Sequence, residues 1–419
     1  MELYHGDIIY SENRDKLSIH EDSYIAVENG KVKGIFPEIP EEYTGAPVTD
    51  HGKALIIPAF SDLHVHASQF HQRGIGMDLL LSDWLNTDTF PEESRFADPE
   101  YAEAVYDAYV SDMIRHGTFH ACIFATIHRP STDILFRKLE EKGLHALVGK
   151  VNMDFQSPEY LCETTEGSLR ETEAFLDEHS GSGTVRPILT PRFAPTCSRD
   201  LIWGLGKLGK KYHVGVQTHI VESRWEAAES LRLFPDCASD SQIYEKAGLL
   251  GNGPSVFAHV IFPTEDDLRV MNEYGCIAVH CPDSTANIIA GIMPVKWEQE
   301  RGIKVTLGCD IGGGQQNGIY RQCASAIRLS KLREFFEPEQ GRTIDIANAF
   351  FMATKEGGSV FGNVGTFEPG YLFNALVIDG IDDPFAPLDP AQRLERFCYA
   401  GDDRNIPARY LNGNLLDPQ

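Results

Sequence analysis

The chain has 419 residues, of which 42% are hydrophobic, enough to bury a barrel-sized core together with a small second domain. Its formal net charge of −25 argues against nucleic acid and anionic membranes as partners, and it has no apolar run long enough to predict a membrane span. The nine scattered cysteines form no C-x-x-C pair and the N-terminus is polar, which predicts reduced thiols and a cytoplasmic location.

The first fifty residues are typical of short strands joined by turns. Residues 7–10 and 24–27 alternate or cluster apolar residues, and the sequence of residues 28–31 favours a hairpin turn. From about Ala54, short apolar strands alternate with amphipathic stretches of helical length, which predicts parallel β/α units. The eight predicted strands cover residues 56–66, 119–126, 145–153, 185–193, 214–219, 255–261, 276–280 and 304–310.

Helical periodicity fills most of the intervals, for example residues 99–115, 168–178 and 199–210. Eight β/α units predict a closed (β/α)8 barrel of the TIM type, which usually needs about 250 residues. The stretch here is longer and leaves room for insertions, notably residues 68–93. An open doubly wound sheet is the alternative; no G-x-G-x-x-G follows the first strand, which disfavours its dinucleotide-binding form.

After the barrel, residues 371–379 again predict a buried strand. Neither chain end is long enough to build a good core alone, so we expect the two to combine. The predicted organisation is a small β-sandwich domain from residues 1–56 and 366–419, and a metal-dependent catalytic barrel from residues 57–365.

Histidine and aspartate collect where the predicted barrel strands end. His64 and His66 end the first strand, and residues i and i+2 of a strand point to the same side. His219, His259 and Asp310 end or follow strands five, six and eight. Because catalytic groups of such barrels lie at the carboxyl ends of the strands, these side chains predict one site. His280, at the end of strand seven, receives no assigned role.

His64, His66, His219 and Asp310 supply three nitrogens and one oxygen, with room for a water. That set is typical of an open, catalytic metal site. Zinc and iron both suit these ligands, and we predict one Zn²⁺ per subunit with Fe²⁺ as the alternative. One metal is favoured over two because the fourth strand carries no bridging lysine, and Lys150 lies on strand three.

Three groups are predicted to move protons at this site. Asp310 and His259 can accept the proton of the water and orient the resulting hydroxide. Glu222, three residues after His219, can carry a proton between water and the leaving group. Two alternatives stay open: His259 as a direct ligand, and Glu222 as a helix N-terminal charge.

The order H-x-H, His-x-x-Glu, His and then Asp resembles the amidohydrolase superfamily in its mononuclear-metal deaminase branch. Further stretches, several of which carry no metal ligand, are similar to the guanine deaminase family. These stretches are residues 63–69, 84–85, 89–92, 124–128, 190–193, 217–223, 280–282 and 401–406. The chain departs from the family pattern at residues 283–285, at Cys309 and at residues 260–262.

The resemblance implies that Gln69, Arg192 and Phe193 hold guanine, and that Trp84 caps the pocket. The side-chain chemistry agrees with these roles. Phe193 offers a flat apolar face, arginine donates strongly to the O6 and N7 edge of guanine, and glutamine both donates and accepts.

The activity that the resemblance implies is hydrolytic deamination of guanine to xanthine and ammonia by a metal-bound hydroxide. Glu222 would protonate N3, and Asp310 would help to pass a proton to the departing amine. The expected partner is therefore a small molecule, guanine, in a homodimeric enzyme. The alternatives are a deaminase of another purine, a pterin or a triazine, and a non-catalytic protein built on a decayed barrel.

Overall fold

The computed structural model describes residues 1–181 and 183–416, and strands alternate with helices through most of this range. The strands are β1 (Glu2–Asn13), β2 (Lys16–Glu28), β3 (Lys31–Phe36), β4 (Val48–Pro58), β5 (Phe60–His66), β6 (Thr118–Phe124), β7 (His145–Gly149), β8 (Val151–Asn152), β9 (Val185–Pro187), β10 (Thr190–Pro191), β11 (Val216–Ile220), β12 (Ser255–His259), β13 (Ile277–His280), β14 (Lys304–Leu307), β15 (Ala375–Ile378), β16 (Ala408–Leu411) and β17 (Asn414–Leu415).

The helices lie mainly between consecutive barrel strands. They are α1 (Leu81–Trp84), α2 (Phe90–Ser94), α3 (Pro99–Arg115), α4 (Arg129–Glu141), α5 (Thr165–His179), α6 (Arg199–Tyr212), α7 (Arg224–Leu233), α8 (Asp240–Lys246), α9 (Glu265–Tyr274), α10 (Pro282–Asn287), α11 (Val295–Glu300), α12 (Ile319–Phe336), α13 (Ile346–Phe351) and α14 (Pro390–Ala400). Short 3-10 turns cover Glu41–Tyr43, Ala67–Gln72, Arg95–Ala97, Glu159–Leu161, Ala194–Thr196 and Asp403–Asn405, and π-helical turns cover Leu85–Thr89 and Met352–Glu356.

Both chain ends contribute to one seven-stranded sheet of order β17-β16-β15-β4-β1-β2-β3. The predicted hairpin turn joins β2 and β3, and its two central residues, Asn29 and Gly30, have φ of 51° and 72°. Positive φ at both positions is what a two-residue type I′ turn requires, and Asn-Gly tolerates it best. β15 pairs with β4 and so brings the C-terminal strands onto the N-terminal ones. Strands from both chain ends therefore lie in one sheet, as expected, while the division into a β-sandwich domain and a barrel domain stays a prediction.

The barrel consists of two four-stranded parallel sheets, β5-β6-β7-β9 and β11-β12-β13-β14. A parallel bridge between Leu189 and Val216 joins them on one side. On the other side, the Asp310 amide donates to the His64 carbonyl at 2.9 Å, and the His66 amide donates to the Ile311 carbonyl at 3.1 Å. The strands therefore form a closed (β/α)8 barrel, as predicted.

The barrel interior is packed with side chains, as in other barrels of this type. Apolar side chains from six of the eight strand positions meet there, and two residues from a later loop close one end. These residues are Leu63, Cys122, Leu147, Ile188, Val256, Val279, Cys281, Phe361 and Val364, all less than 9% exposed. A larger apolar layer fills the space between the strands and the outer helices.

Three predicted strands are divided. The predicted strand 56–66 is two strands, since β4 ends at Pro58 in the chain-end sheet and β5 starts at Phe60 in the barrel. Proline has no amide hydrogen to continue a sheet ladder, which accounts for the break at this point. The third and fourth predicted strands each divide into a longer and a two-residue piece. In the described part of the chain, no helix has the length and apolarity needed to span a bilayer.

Candidate metal centre and active site

A cleft with an empty volume of about 600 Å³, partly open to solvent, lies at the carboxyl ends of the barrel strands. Side chains from several different β/α loops line it. They are His66, Gln69, Leu81, Trp84, Leu85, Arg192, Phe193, His219, Glu222, Ser223, Trp225, Glu226, His259, Ser284, Ile288 and Asp310. In (β/α)8 enzymes this is the face that carries catalytic residues.

The first strand presents two buried histidines, His64 and His66, which are 1% and 3% exposed. Their ring centroids are 5.0 Å apart. Asp62, two residues earlier, accepts hydrogen bonds from the amides of His64 at 3.2 Å and Cys309 at 3.1 Å. This buried carboxyl thus ties the histidine strand to the strand that precedes Asp310. Sequence analysis missed Asp62, although its period-2 spacing from both histidines was a usable signal.

Asp310 follows β14 in a left-handed conformation with φ of 46°. Its carbonyl accepts from the Gly314 amide at 2.7 Å, which closes a tight turn after the strand. Oδ1 lies 3.1 Å from Nε2 of His64 and 3.5 Å from Nε2 of His66. Oδ2 accepts a hydrogen bond from Oγ of Ser284 at 2.5 Å. Oδ1 of Asp310 therefore faces the histidines, while Ser284 fixes Oδ2 by a hydrogen bond.

His219, on β11, is oriented by the backbone of the preceding unit. Its Nδ1 lies 2.6 Å from the Arg192 carbonyl, so Nδ1 carries the hydrogen and donates. The other nitrogen, Nε2, is left free and lies 3.1 Å from Nε2 of His66. A histidine that binds metal through one ring nitrogen is usually oriented by a hydrogen bond that its other ring nitrogen donates, as Nδ1 does here.

The four side chains fit one metal ion. Adjacent ligand atoms around a tetrahedral ion with bonds of about 2.0 Å lie about 3.3 Å apart, and three of the distances here are 3.1, 3.1 and 3.5 Å. Burial, and then nearby positive charge, lowers the pKa of both His64 and His219 to about 3. Both imidazoles are therefore neutral at pH 7, the form that binds metal. Nε2 of His64 is buried without a hydrogen-bond partner among the described residues.

His259 and Glu222 lie beside this cluster. Nε2 of His259 is 3.6 Å from Oε1 of Glu222 and 3.9 Å from Oδ2 of Asp310. His64, His259 and Asp310 also lie close enough to share an ion, so the geometry retains the alternative of His259 as a ligand. Burial, and then the charge of Asp310, raises the pKa of Glu222 to about 8. Glu222 therefore holds a proton near neutral pH.

Glu222 does not cap the helix that follows it. α7 begins at Arg224, and its N-cap is Ser223, whose side chain accepts from the Glu226 amide at 3.1 Å. Glu226 in turn accepts from the Glu222 amide at 2.7 Å. These contacts hold the loop in place and leave the Glu222 carboxyl facing the cleft. Sequence analysis did not single out Glu226.

The four predicted base-binding residues lie in the same cleft. Gln69 and Trp84 are 2% and 4% exposed, and Phe193 is half-buried with its ring centroid 6.4 Å from that of His219. The Arg192 guanidinium forms a buried ion pair with Glu93 at 2.6 Å. Arg192 thus lines the cleft and also pairs with an acid.

Other features of the cleft were not foreseen. Glu93 comes from the insertion after the first strand, and its pairing with a residue 99 positions later has no local signal. Trp225 lies at the cleft with 59% of its surface exposed. Lys150 is fully buried, and its Nζ donates a hydrogen bond to Glu163 at 2.7 Å. This side chain is therefore held away from the candidate metal ligands.

Comparison with known proteins matches the model of the amidohydrolase family to residues 55–416. A guanine deaminase of Dictyostelium discoideum is 33% identical, over 99% of this chain and 98% of that protein. The guanine deaminase of Homo sapiens is 34% identical, over 86% of this chain and 83% of that protein. A crystal structure of guanine deaminase from C. acetobutylicum with bound guanine in the active site is 41% identical, covers 99% of this chain and 100% of that one, and superposes with a TM-score of 0.96.

We predict that His66→Ala lowers the affinity for a divalent metal by more than about 100-fold, because even the loss of an indirect partner of a metal ligand costs 10- to 100-fold. The measurement is metal content by mass spectrometry after loading with Zn²⁺ and dialysis. His116→Ala is the control, since His116 hydrogen-bonds to the Asp112 carbonyl on α3. Equal metal retention in the two variants would contradict the assignment of His66 as a ligand.

Proposed function

This chain belongs to the amidohydrolase family, and we propose that it hydrolyses guanine to xanthine and ammonia. The observation that carries the proposal is that His66, His219 and Asp310, which surround the buried His64, line the same cleft as Gln69, Arg192 and Phe193. A candidate metal centre and a proposed base-reading wall, formed by Gln69, Arg192 and Phe193, thus lie within one cavity. The similarity to guanine deaminases over nearly the whole chain supports guanine as the substrate.

The metal is proposed to be one Zn²⁺ per subunit, with Fe²⁺ as the alternative. Three neutral imidazoles and one carboxylate suit either ion, and they leave a coordination position open. When bound, such an ion lowers the pKa of a water so that it attacks as a nucleophile near neutral pH. His64, His66, His219 and Asp310 are the proposed ligands.

Guanine is proposed to lie against Phe193 with its oxygen-bearing edge toward Arg192 and Gln69. O6 and N7 of guanine accept hydrogen bonds, and the guanidinium of Arg192 offers donors only. Trp84 also lines the cleft, and its Nε1 donates to the Ile75 carbonyl at 3.2 Å. Its indole is therefore fixed as part of the wall that covers the substrate.

The proton steps are assigned to Asp310, His259 and Glu222. As the water oxygen bonds to C2, Asp310 takes one of its protons, and His259 orients the attacking oxygen. Glu222 donates its proton to N3, where xanthine retains it. The C2–N bond then breaks while the amine takes the proton from Asp310 and leaves as ammonia. The remaining hydroxyl proton returns to Glu222 as the carbonyl forms, so both acids regain their starting states.

Three further properties are proposed: the location, the domain boundary and the oligomeric state. The buried or half-buried cysteines, all unpaired, suit a cytoplasmic location. The boundary between the small β domain (residues 1–56 and 366–419) and the catalytic barrel (residues 57–365) follows the change from chain-end sheet to barrel strands. A homodimer is proposed from the family resemblance.

The first test is steady-state turnover by the purified, zinc-loaded protein. We expect ammonia release from guanine, and much slower release from adenine, other aminopurines, aminopterins and aminotriazines. A site that matches one purine edge disfavours rings that leave its buried polar groups unpaired. Turnover of another ring with none of guanine would replace this proposal by the alternative of a deaminase for a different heterocycle.

We predict that Glu222→Gln lowers kcat for guanine by about 10²- to 10⁴-fold, the usual contribution of a general acid or base. The amide keeps the shape of the side chain but cannot give a proton to N3. Metal content should be unchanged. The control is Glu229→Gln in α7, the helix that follows Glu222, because Glu229 pairs with Arg232 at the surface. A Glu222→Gln enzyme with normal kcat would exclude the proton-transfer role.

We predict that Arg192→Lys raises KM for guanine at least about 100-fold, because a lysine ammonium cannot keep the planar, multiple donor geometry of the guanidinium. Arg199→Lys serves as the control, since Arg199 pairs with Asp236 at the protein surface. An unchanged KM for Arg192→Lys would show that this side chain does not contact the base.

A further inference from the structure

A buried carboxylate stands directly behind the proposed base-reading wall. Oε2 of Glu93 accepts from the Arg192 guanidinium at 2.6 Å, and Oε1 accepts from Nε2 of Gln69 at 2.7 Å. Glu93 is 4% exposed, and the described residues that line the cleft include both of its partners but not Glu93 itself. One carboxylate therefore connects the two side chains that face the substrate.

These contacts determine which way round the Gln69 amide lies. Its Oε1 accepts from the Gly312 amide at 2.8 Å, on the loop that follows Asp310. Its Nε2 donates to Glu93 on the other side. A flipped amide would set a carbonyl oxygen against a carboxylate and an N–H against an N–H, which are both repulsive arrangements. Gln69 is thus left with one free N–H.

Arg192 is constrained by the same carboxylate. A guanidinium has five N–H donors and no acceptor, and Glu93 takes up donation from one of its two terminal nitrogens. The Glu93 charge also balances a cation that is 5% exposed and lies in the cleft beside the candidate metal cluster. An unbalanced buried charge at this position would be strongly unfavourable.

We propose that Glu93 is a positioning residue that makes this wall a donor-only surface and thereby selects purines with an oxygen at C6. The inference rests on the proposed function, since it assigns the discrimination between purines within that cleft. A ring with an amino group at C6 would place its own N–H against the N–H groups of Gln69 and Arg192. Buried donors that face each other lack partners, and such mismatches give the largest discrimination between substrates.

Glu92 supplies a matched control on the same short helix. It is also buried, at 8% exposure, and it also pairs with an arginine, Arg95, at 3.0 Å. Its second oxygen accepts from the Tyr101 hydroxyl. Neither partner lies in the cleft. Loss of charge at Glu92 should therefore disturb the insertion as much as loss at Glu93, but without reaching the base-reading wall.

The test compares Glu93→Gln and Glu92→Gln in the zinc-loaded enzyme, on guanine and on 2,6-diaminopurine, which replaces O6 by an amino group. A neutral amide offers one acceptor where the carboxylate offers two, so either Gln69 or Arg192 must turn. We expect Glu93→Gln to lower kcat/KM for guanine about 100-fold, mainly through KM, as misplaced binding groups commonly do. The preference for guanine over 2,6-diaminopurine should fall at least about tenfold, while metal content is retained.

Glu92→Gln should change both quantities less than about twofold, because neither Arg95 nor Tyr101 lines the cleft. A preference that falls equally in both variants, or in neither, overturns the inference. If Glu93→Gln does not fold, Gln69→Leu tests the same wall with Glu93 intact and must also lower the preference for guanine.

The two proposals fail in different ways. A wild-type enzyme that releases no ammonia from guanine contradicts the proposed function, whatever Glu93 does. In that case Glu93→Gln and Glu92→Gln are assayed on the ring that the wild-type enzyme does turn over. Their preference for this ring is measured against an analogue in which a hydrogen-bond acceptor on the ring is replaced by a donor. An unaltered preference in Glu93→Gln then overturns the positioning role as well.

Discussion

The site depends on the seam where the last barrel strand meets the first. At this seam the Asp310 amide donates to the His64 carbonyl at 2.9 Å, and the His66 amide donates to the Ile311 carbonyl at 3.1 Å. The backbone hydrogen bonds that close the barrel are therefore the same ones that set three candidate ligands side by side. Asp62 reinforces the seam through its bonds to His64 and Cys309. The spacing of these candidate ligands is therefore a consequence of barrel closure.

Barrel closure alone does not orient the candidate site side chains toward the cleft. Strained backbone conformations at the strand ends also contribute to this orientation. Val221, His259 and Asp310 all have positive φ at or just after strand ends, where non-glycine residues rarely adopt it. Such conformations each cost about 1–3 kcal/mol and persist only where the surroundings enforce them. The enforcing contacts are visible: Asp240 accepts from the Val221 amide at 3.2 Å, and Gly314 donates to the Asp310 carbonyl at 2.7 Å.

Much of this arrangement could be predicted from the chain, for physical reasons that differ between residues. His64 and His66 follow from the period of a strand, and Asp310 follows from the rule that catalytic groups gather at the carboxyl ends of barrel strands. The role of Glu93 could not be predicted, because an ion pair between residues 99 positions apart produces no periodic sequence pattern. An acidic residue in an insertion also looks like any other surface charge. The break between β4 and β5 was missed because Pro58 sits within an otherwise uniform apolar run.

Arg192 connects the candidate metal centre to the proposed base-reading wall. Its carbonyl holds Nδ1 of His219 at 2.6 Å, which fixes the nitrogen left for the metal, while its guanidinium extends toward the cleft and is held by Glu93. Any shift of this residue along the chain would move the ligand and the substrate donor together. Gln69 has the same dual position, because its amide oxygen is bonded to the loop that follows Asp310. The candidate metal ligands and the two proposed base-binding side chains are thus coupled through one hydrogen bond at each of two residues, which is a more rigid coupling than separate loops could provide.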